Sequence, residues 1–260
     1  MLAVLGIVVA GAGLYVALPH VTHLARGGES PFAADAVSIR PTPPAPHRAH
    51  EALPASIAVT AAKPADDAEL EAAWRDAKAA AEHDENGAAT VAAWRRLAAL
   101  LADRVARCTV HQPTDAPCLE LVQQLATARR GLVQAQLPPE PTDTPTPLTD
   151  DTKAFVDALD LYVDLDPAGP DAAGDQFIAA NVYRRSGQID EAVARFSECL
   201  FDHPYDETGE YAANLLLDSL VNAGRLDELR DWTLYLLSDP EFLVAHPDVA
   251  ATLEHIRPLL

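Results

Sequence analysis

Lysine is nearly absent from this 260-residue chain, which holds only Lys63, Lys78 and Lys153. Lys and Arg together number 19 against 39 Asp and Glu, a formal net charge of −20 at pH 7. Such a field repels phosphate backbones and anionic membrane surfaces, so neither nucleic acid nor a charged lipid surface is expected as the main partner. Aromatic residues make up 6% of the chain and cysteines number three, which excludes a disulfide-dense miniprotein. No G-x-S-x-G, glycine-rich phosphate loop or H-E-x-x-H occurs. The acidic pairs Asp150/Asp151 and Asp227/Glu228 fall at expected helix starts, where capping accounts for them. His203 and His246, each followed by proline, read as turn residues. No catalytic residue, cofactor site or metal-ligand set follows, and an enzyme is not expected. Alanine- and arginine-rich usage with little lysine points to a GC-rich bacterial genome.

The negative charge is concentrated. Residues 1–65 carry net +1, residues 66–136 net −3 and residues 137–260 net −18. Solubility or adaptation to salt explains such a surface, and attraction of a basic partner is the alternative.

The first 25 residues contain no Asp, Glu, Lys or Arg. Met1 to Leu18 is an apolar run; at about 1.5 Å rise per residue it just spans a bilayer core. No basic residue precedes it, Ala10-Gly11-Ala12 comes too early for a cleavage site, and no lipobox cysteine follows. Residues 1–25 are therefore expected to be a single-pass transmembrane anchor, with a cleaved signal peptide or a buried soluble helix as alternatives. Ala3, Gly6, Ala10, Gly13 and Ala17 fall on one helical face, which would permit self-association in the bilayer or be a chance product of composition. Flanking charge is too weak to set orientation.

Two proline-rich stretches punctuate the rest. Residues 26–65 hold Pro31, Pro41, Pro43, Pro44, Pro46, Pro54 and Pro64 and read as a disordered Pro/Ala-rich linker. The His20/His23 spacing before it and the His47/His50 spacing within it lack the carboxylate or thiol support that a metal site needs. The second stretch, residues 137–149, is Pro/Thr-rich and separates two helical parts. Residues 66–136 are expected to form a three-helix segment, with Asp66 and Glu69 as a capping box opening the first helix, which ends near His83. A second helix runs from about Ala88 to Arg107 and a third from about Cys118 to Gln134. Val91, Trp94, Leu97, Leu101 and Val105 recur at helical spacing as a core stripe. Ala-Ala-Trp-Arg at 72–75 and again at 92–95 suggests a hairpin with Trp74 and Trp94 as packing anchors.

Cys108 and Cys118 bracket the turn between the second and third of these helices. A disulfide there would need an oxidising compartment. Unpaired thiols, or a metal site with His111, remain alternatives. Cys199 reads as a small buried residue.

The last 110 residues repeat. Arg185-Ser-Gly-Gln-Ile-Asp-Glu-Ala192 parallels Asn222-Ala-Gly-Arg-Leu-Asp-Glu-Leu229, and Gly187 and Gly224 lie 37 positions apart. Pro167, Pro204 and Pro240 follow helix ends at matching intervals. A period in the mid-thirties built from helix, glycine turn, helix and proline marks an α-solenoid. Glycine permits the left-handed conformation that closes each first helix, and the Asp-Glu after it suits a helix N-terminus.

This pattern resembles the tetratricopeptide repeat (TPR) family. With Pro204 at the family's near-terminal proline, Ala180, Tyr183, Gly187, Ala192, Phe196 and Cys199 fall at its packing and turn positions over about residues 173–206. The unit at about 210–243 is degenerate, an incomplete unit precedes the pair with Thr152 to Leu165 as its second helix, and a helix from about Pro247 to Ile256 caps the stack. The resemblance implies a concave face on the first helices that holds an extended or helical peptide. It would be lined by Phe177, Asn181, Arg184, Tyr211, Asn214, Asp218 and Asn222.

The expected fold is all-α: an N-terminal transmembrane helix, a Pro-rich linker, a three-helix segment and, over 150–260, TPR-like repeats. The expected function is a non-enzymatic, membrane-anchored scaffold at the bacterial inner membrane. Its periplasmic domain would bind a peptide or helix of an envelope protein, a basic one where the acidic surface serves to attract it. A cytosol-facing adaptor or regulatory protein is the alternative, as is a periplasmic protein freed by signal cleavage.

Overall fold

In a computed structural model the described residues are 66–259, apart from 85, 86, 112, 135, 139, 140 and 143. The expected membrane helix, its small-residue face and the 26–65 linker lie outside them. Among the described residues all regular structure is helical, in the order α1 (Asp67–His83), α2 (Ala88–His111), α3 (Ala116–Val133), α4 (Asp150–Leu165), α5 (Ala172–Arg185), α6 (Ile189–Asp202), α7 (Glu207–Asn222), α8 (Leu226–Leu237), α9 (Pro240–Ala245) and α10 (Pro247–Ile256). None of these helices is long and apolar enough to cross a membrane.

Local chemistry explains most of the boundaries. The Asp66 carboxylate accepts the Glu69 N–H at 2.8 Å and opens α1. Thr149 opens α4 by accepting the Thr152 N–H at 3.2 Å, and Asp206 opens α7 through the Gly209 N–H at 3.0 Å. Gly209 has no substitute there, because a Cβ would stand 2.0 Å from the His203 carbonyl oxygen. α2 runs on to His111, so Cys108 lies in its last turn rather than in the loop, and α3 starts at Ala116, ahead of Cys118. Cys108 and Cys118 are joined in a disulfide with Cα atoms 5.6 Å apart. By loop-closure entropy a ring of that size contributes about 3 kcal/mol. α9 had no counterpart in the sequence reading. Pro240, which ends the α8 connection, is also a favoured first residue of α9, which Asp239 caps by accepting from the N–H groups of Glu241 and Phe242.

Each helix from α1 to α8 packs on the next, and α5 also touches α7. Two apolar cores result. The first is filled from α1 to α5; of the expected α2 stripe, Leu97, Leu101 and Val105 are fully buried in it, while Val91 and Trp94 pack against it half-buried. Trp74 meets Trp94 edge-on at 5.9 Å. The second is filled from α5 to α10, around Phe196, Leu216, Trp232, Phe242 and Leu253. α5 serves both: Ala172, Ala179 and Val182 face the first core, and Phe177 and Ala180 the second. A helix packed on two sides needs small residues where its neighbours approach, which is why Ala172, Ala179 and Ala180 are buried completely.

The 37-residue period is carried in the backbone. In the α5–α6 turn the N–H groups of Ser186, Gly187, Gln188 and Ala192 donate to the carbonyls of Val182, Arg184, Tyr183 and Gln188. In the α7–α8 turn those of Ala223, Gly224, Arg225 and Leu229 donate to Ser219, Val221, Leu220 and Arg225. Every donor and acceptor is displaced by 37, and Gly187 and Gly224 have φ of 70° and 67°. The bond from the residue after each glycine, five positions back, is the one that ends a helix through a left-handed glycine.

The stretch read as a linker at 137–149 is, where described, strapped onto the α5–α6 turn. Thr146 donates its N–H to the Ser186 carbonyl at 2.8 Å, and Gln188 returns a side-chain bond to the Thr146 carbonyl at 2.9 Å. The Arg185 guanidinium donates to the carbonyls of Leu137 and Pro138, and Leu148 is buried in the first core. The segment therefore joins α3 and α4, neighbours in one core.

Candidate functional site

The seven residues expected to line a binding face sit on two adjoining helices. Phe177, Asn181 and Arg184 are on α5; Tyr211, Asn214, Asp218 and Asn222 are on α7. The structure brings most of them together in pairs. Arg184 donates through Nε to Asn181 Oδ1 at 3.1 Å and through Nη1 to Asp218 Oδ2 at 3.3 Å. The rings of Phe177 and Tyr211 lie 6.1 Å apart, and the Tyr211 hydroxyl donates to Glu207 at 2.6 Å.

Two members behave differently from a groove residue. Phe177 is 8% exposed and its ring packs 5.8 Å from that of Phe196, so it belongs chiefly to the second core. Asn222 ends α7 and is exposed at the far edge, beside the α7–α8 turn. The centre of the face is Asn181, Arg184, Asn214 and Asp218, all half-buried. It is polar and offers both carboxylate and amide groups. Such a surface suits backbone recognition more than selection of an apolar side chain.

Other titratable groups were invisible as structural features in the sequence. Arg195 on α6 is 7% exposed and forks both Nη atoms onto the two oxygens of Asp160 on α4, at 3.0 and 3.1 Å. Its Nε reaches Glu191 at 2.8 Å and its guanidinium lies 4.7 Å over the Tyr183 ring. Burial disfavours the cation, but the bonds to Asp160 and Glu191 outweigh burial and raise its pKa above the ordinary value. His246, expected as a plain turn residue, is buried between α9 and α10, with Nε2 2.9 Å from the Pro204 carbonyl oxygen and Nδ1 3.4 Å from Glu210. Cys199 is fully buried, and burial pushes its thiol up to about 12, so it has no thiolate chemistry near neutrality. Among the described residues no group of three or more His, Cys, Asp or Glu is placed to hold a metal ion.

Asp175, in the first turn of α5, is a buried carboxylate that accepts from Gln123 of α3 at 2.7 Å. Burial pushes its pKa up to about 6, against the Gln123 bond and with help from Asp171. The folded state thus holds this proton up to about pH 6, whereas the unfolded chain releases it near pH 4. Its contribution is full below pH 4 and is lost as pH rises through about 6. Asp175→Asn, which keeps the Gln123 bond, is expected to stabilise the protein by about 1–2 kcal/mol at pH 7 and by nothing near pH 4. Urea unfolding at the two pH values checks this, and an equal effect at both would refute it.

No family model, curated protein or solved structure matches this chain.

Proposed function

We propose that this protein is a non-enzymatic scaffold of the TPR type, in which the pairs α5–α6 and α7–α8 act as repeat units and the α5/α7 face binds a peptide or helix of another protein. The observation that carries the reading is the recurrence of the glycine turn, bond for bond, 37 residues on, together with the direct contact of α5 with α7. Successive pairs related in this way set their first helices side by side, which is how an α-solenoid makes an extended binding surface. The acidic balance of residues 137–260, net −18, favours a basic ligand. The apolar run at 1–18 and the Pro-rich stretch after it support a tethered domain, and the Cys108–Cys118 bond supports its display in an oxidising periplasm.

Site-specific photocrosslinking in cells tests the binding face. A crosslinker at Asn214 is expected to trap a discrete protein adduct in the membrane fraction, and one at Arg230, exposed on α8, is expected to trap none. Equal yields at both positions, or none at Asn214, would remove the support for this face.

A further inference from the structure

The two glycine turns match in backbone, yet only the first is covered among the described residues. A Cβ on Gly187 would stand 2.5 Å from the Thr142 carbonyl oxygen of the strap, whereas one on Gly224 would meet no described atom within 4 Å. The Ser186 carbonyl accepts the Thr146 N–H at 2.8 Å; its counterpart 37 residues on, the Ala223 carbonyl, receives no backbone N–H from the described residues.

The donors that grip the strap also have counterparts. Arg185 and Gln188, which donate to strap carbonyls, correspond to Asn222 and Arg225. Arg225 uses three N–H groups on Asp190 and Glu228, which leaves two of the five that a guanidinium carries. Ile189 is half-buried, but its counterpart Leu226 is 59% exposed. A groove of about 1000 Å³ runs from the strap at Pro141, Thr142 and Pro145 to Asn222, Ala223 and Arg225. Its lining carries the acidic side chains of Asp190 and Glu191, and that of Asp190, paired with Arg225 at 2.8 Å, is almost wholly exposed.

We propose that the α7–α8 turn is a docking site for an extended, proline-flanked, cationic segment of a partner protein, bound as the strap is bound one repeat earlier. The segment's N–H donates to the Ala223 carbonyl, its carbonyls accept from Asn222 and Arg225, and an apolar side chain covers Leu226. Flanking prolines hold such a segment extended before it binds and so reduce the entropy lost. Positive charge complements this acidic lining. The site lies at the turn, apart from the centre of the α5/α7 face, and does not depend on that face binding anything.

Fluorescence anisotropy with the full chain tests it, the probe being a labelled peptide Leu-Pro-Pro-Lys-Pro-Thr-Lys-Thr-Pro-Thr-Pro-Leu, the strap sequence 137–148 with Glu140→Lys and Asp143→Lys. Binding is expected with a dissociation constant of order 0.1 mM. Asn222→Ala and Leu226→Ser, singly and together, alter exposed side chains and should preserve the fold, which circular dichroism verifies. The double variant is expected to weaken binding at least about tenfold, and Asn214→Ala to leave it unchanged. The parent peptide with Glu140 and Asp143 is expected to bind several-fold more weakly. The proposal is overturned if the lysine peptide does not bind, if the double variant binds like the parent protein, or if Gln188→Ala rather than Asn222→Ala abolishes binding, since the peptide would then be displacing the strap.

Discussion

Asp160→Ala is expected to destabilise the protein by about 3 kcal/mol, because it strips a buried guanidinium of its bidentate partner. Arg195 is 7% exposed and cannot turn to water when Asp160 is gone. Its remaining partners are Glu191, whose side chain is 43% exposed, and the face of Tyr183. Glu191→Ala should cost only about 0.5 kcal/mol, the usual worth of a solvent-screened pair one helical turn apart. The decisive comparison is the double replacement Arg195→Met with Asp160→Leu. It removes both charges and keeps most of the volume, so stability is expected to return to within about 1 kcal/mol of the parent. Urea unfolding followed by circular dichroism measures all three. A double variant less stable than Asp160→Ala would mean that the charges themselves, and not the penalty of leaving one unpaired, hold α4 to α6.

That clamp shows where sequence reading stops. Arg195 lies in the Ala-Val-Ala-Arg-Phe-Ser run of α6 and looks like an ordinary arginine on a solvated face. Its burial follows from α4 lying against the α5–α6 pair, a tertiary fact that no local pattern encodes. His246 is similar: the His-Pro pair marks a helix boundary, but the partners of the ring, Pro204 and Glu210, lie more than thirty residues away. What was legible is what is local. The helical class, the Asp66 cap, the α2 stripe and the positive-φ glycines all follow from side-chain periodicity and backbone sterics within a few residues. The strap reads as a spacer in sequence because proline removes helical propensity without saying whether the extended chain is free or docked. α5 has no single buried face, since its two sides meet two cores. The helices that carry the expected binding residues follow from the repeat register, but the mutual pairing of Arg184, Asn181 and Asp218 does not.

Trp232→Ala is expected to have the largest effect of any single change considered, about 4 kcal/mol, and to unfold one part of the molecule before the rest. Trp232 on α8 is 1% exposed. Its ring meets Tyr235 edge-on at 5.5 Å and lies 5.8 Å from Phe201 of α6, while Phe201 and Tyr235 are 5.9 Å apart. The three rings thus form a closed triangle between α6 and α8, and truncation leaves a cavity that the two remaining rings are too rigid to fill. α9 and α10 depend on the same core through Phe242, Val249 and Leu253, and they have no residue in the core that α1–α4 fill. Loss of Trp232 should therefore loosen α8, α9 and α10 together, lowering the midpoint of thermal unfolding by about 8–15 °C. Hydrogen exchange localises the damage: amides of α8–α10 should lose protection strongly, while those of α2 and α3, braced by the first core and the Cys108–Cys118 bond, should change little at the same temperature. Uniform loss of protection from α1 to α10 would mean that the two cores unfold as one cooperative unit, with α5 and the Arg195 clamp coupling them more strongly than their separate side-chain clusters imply.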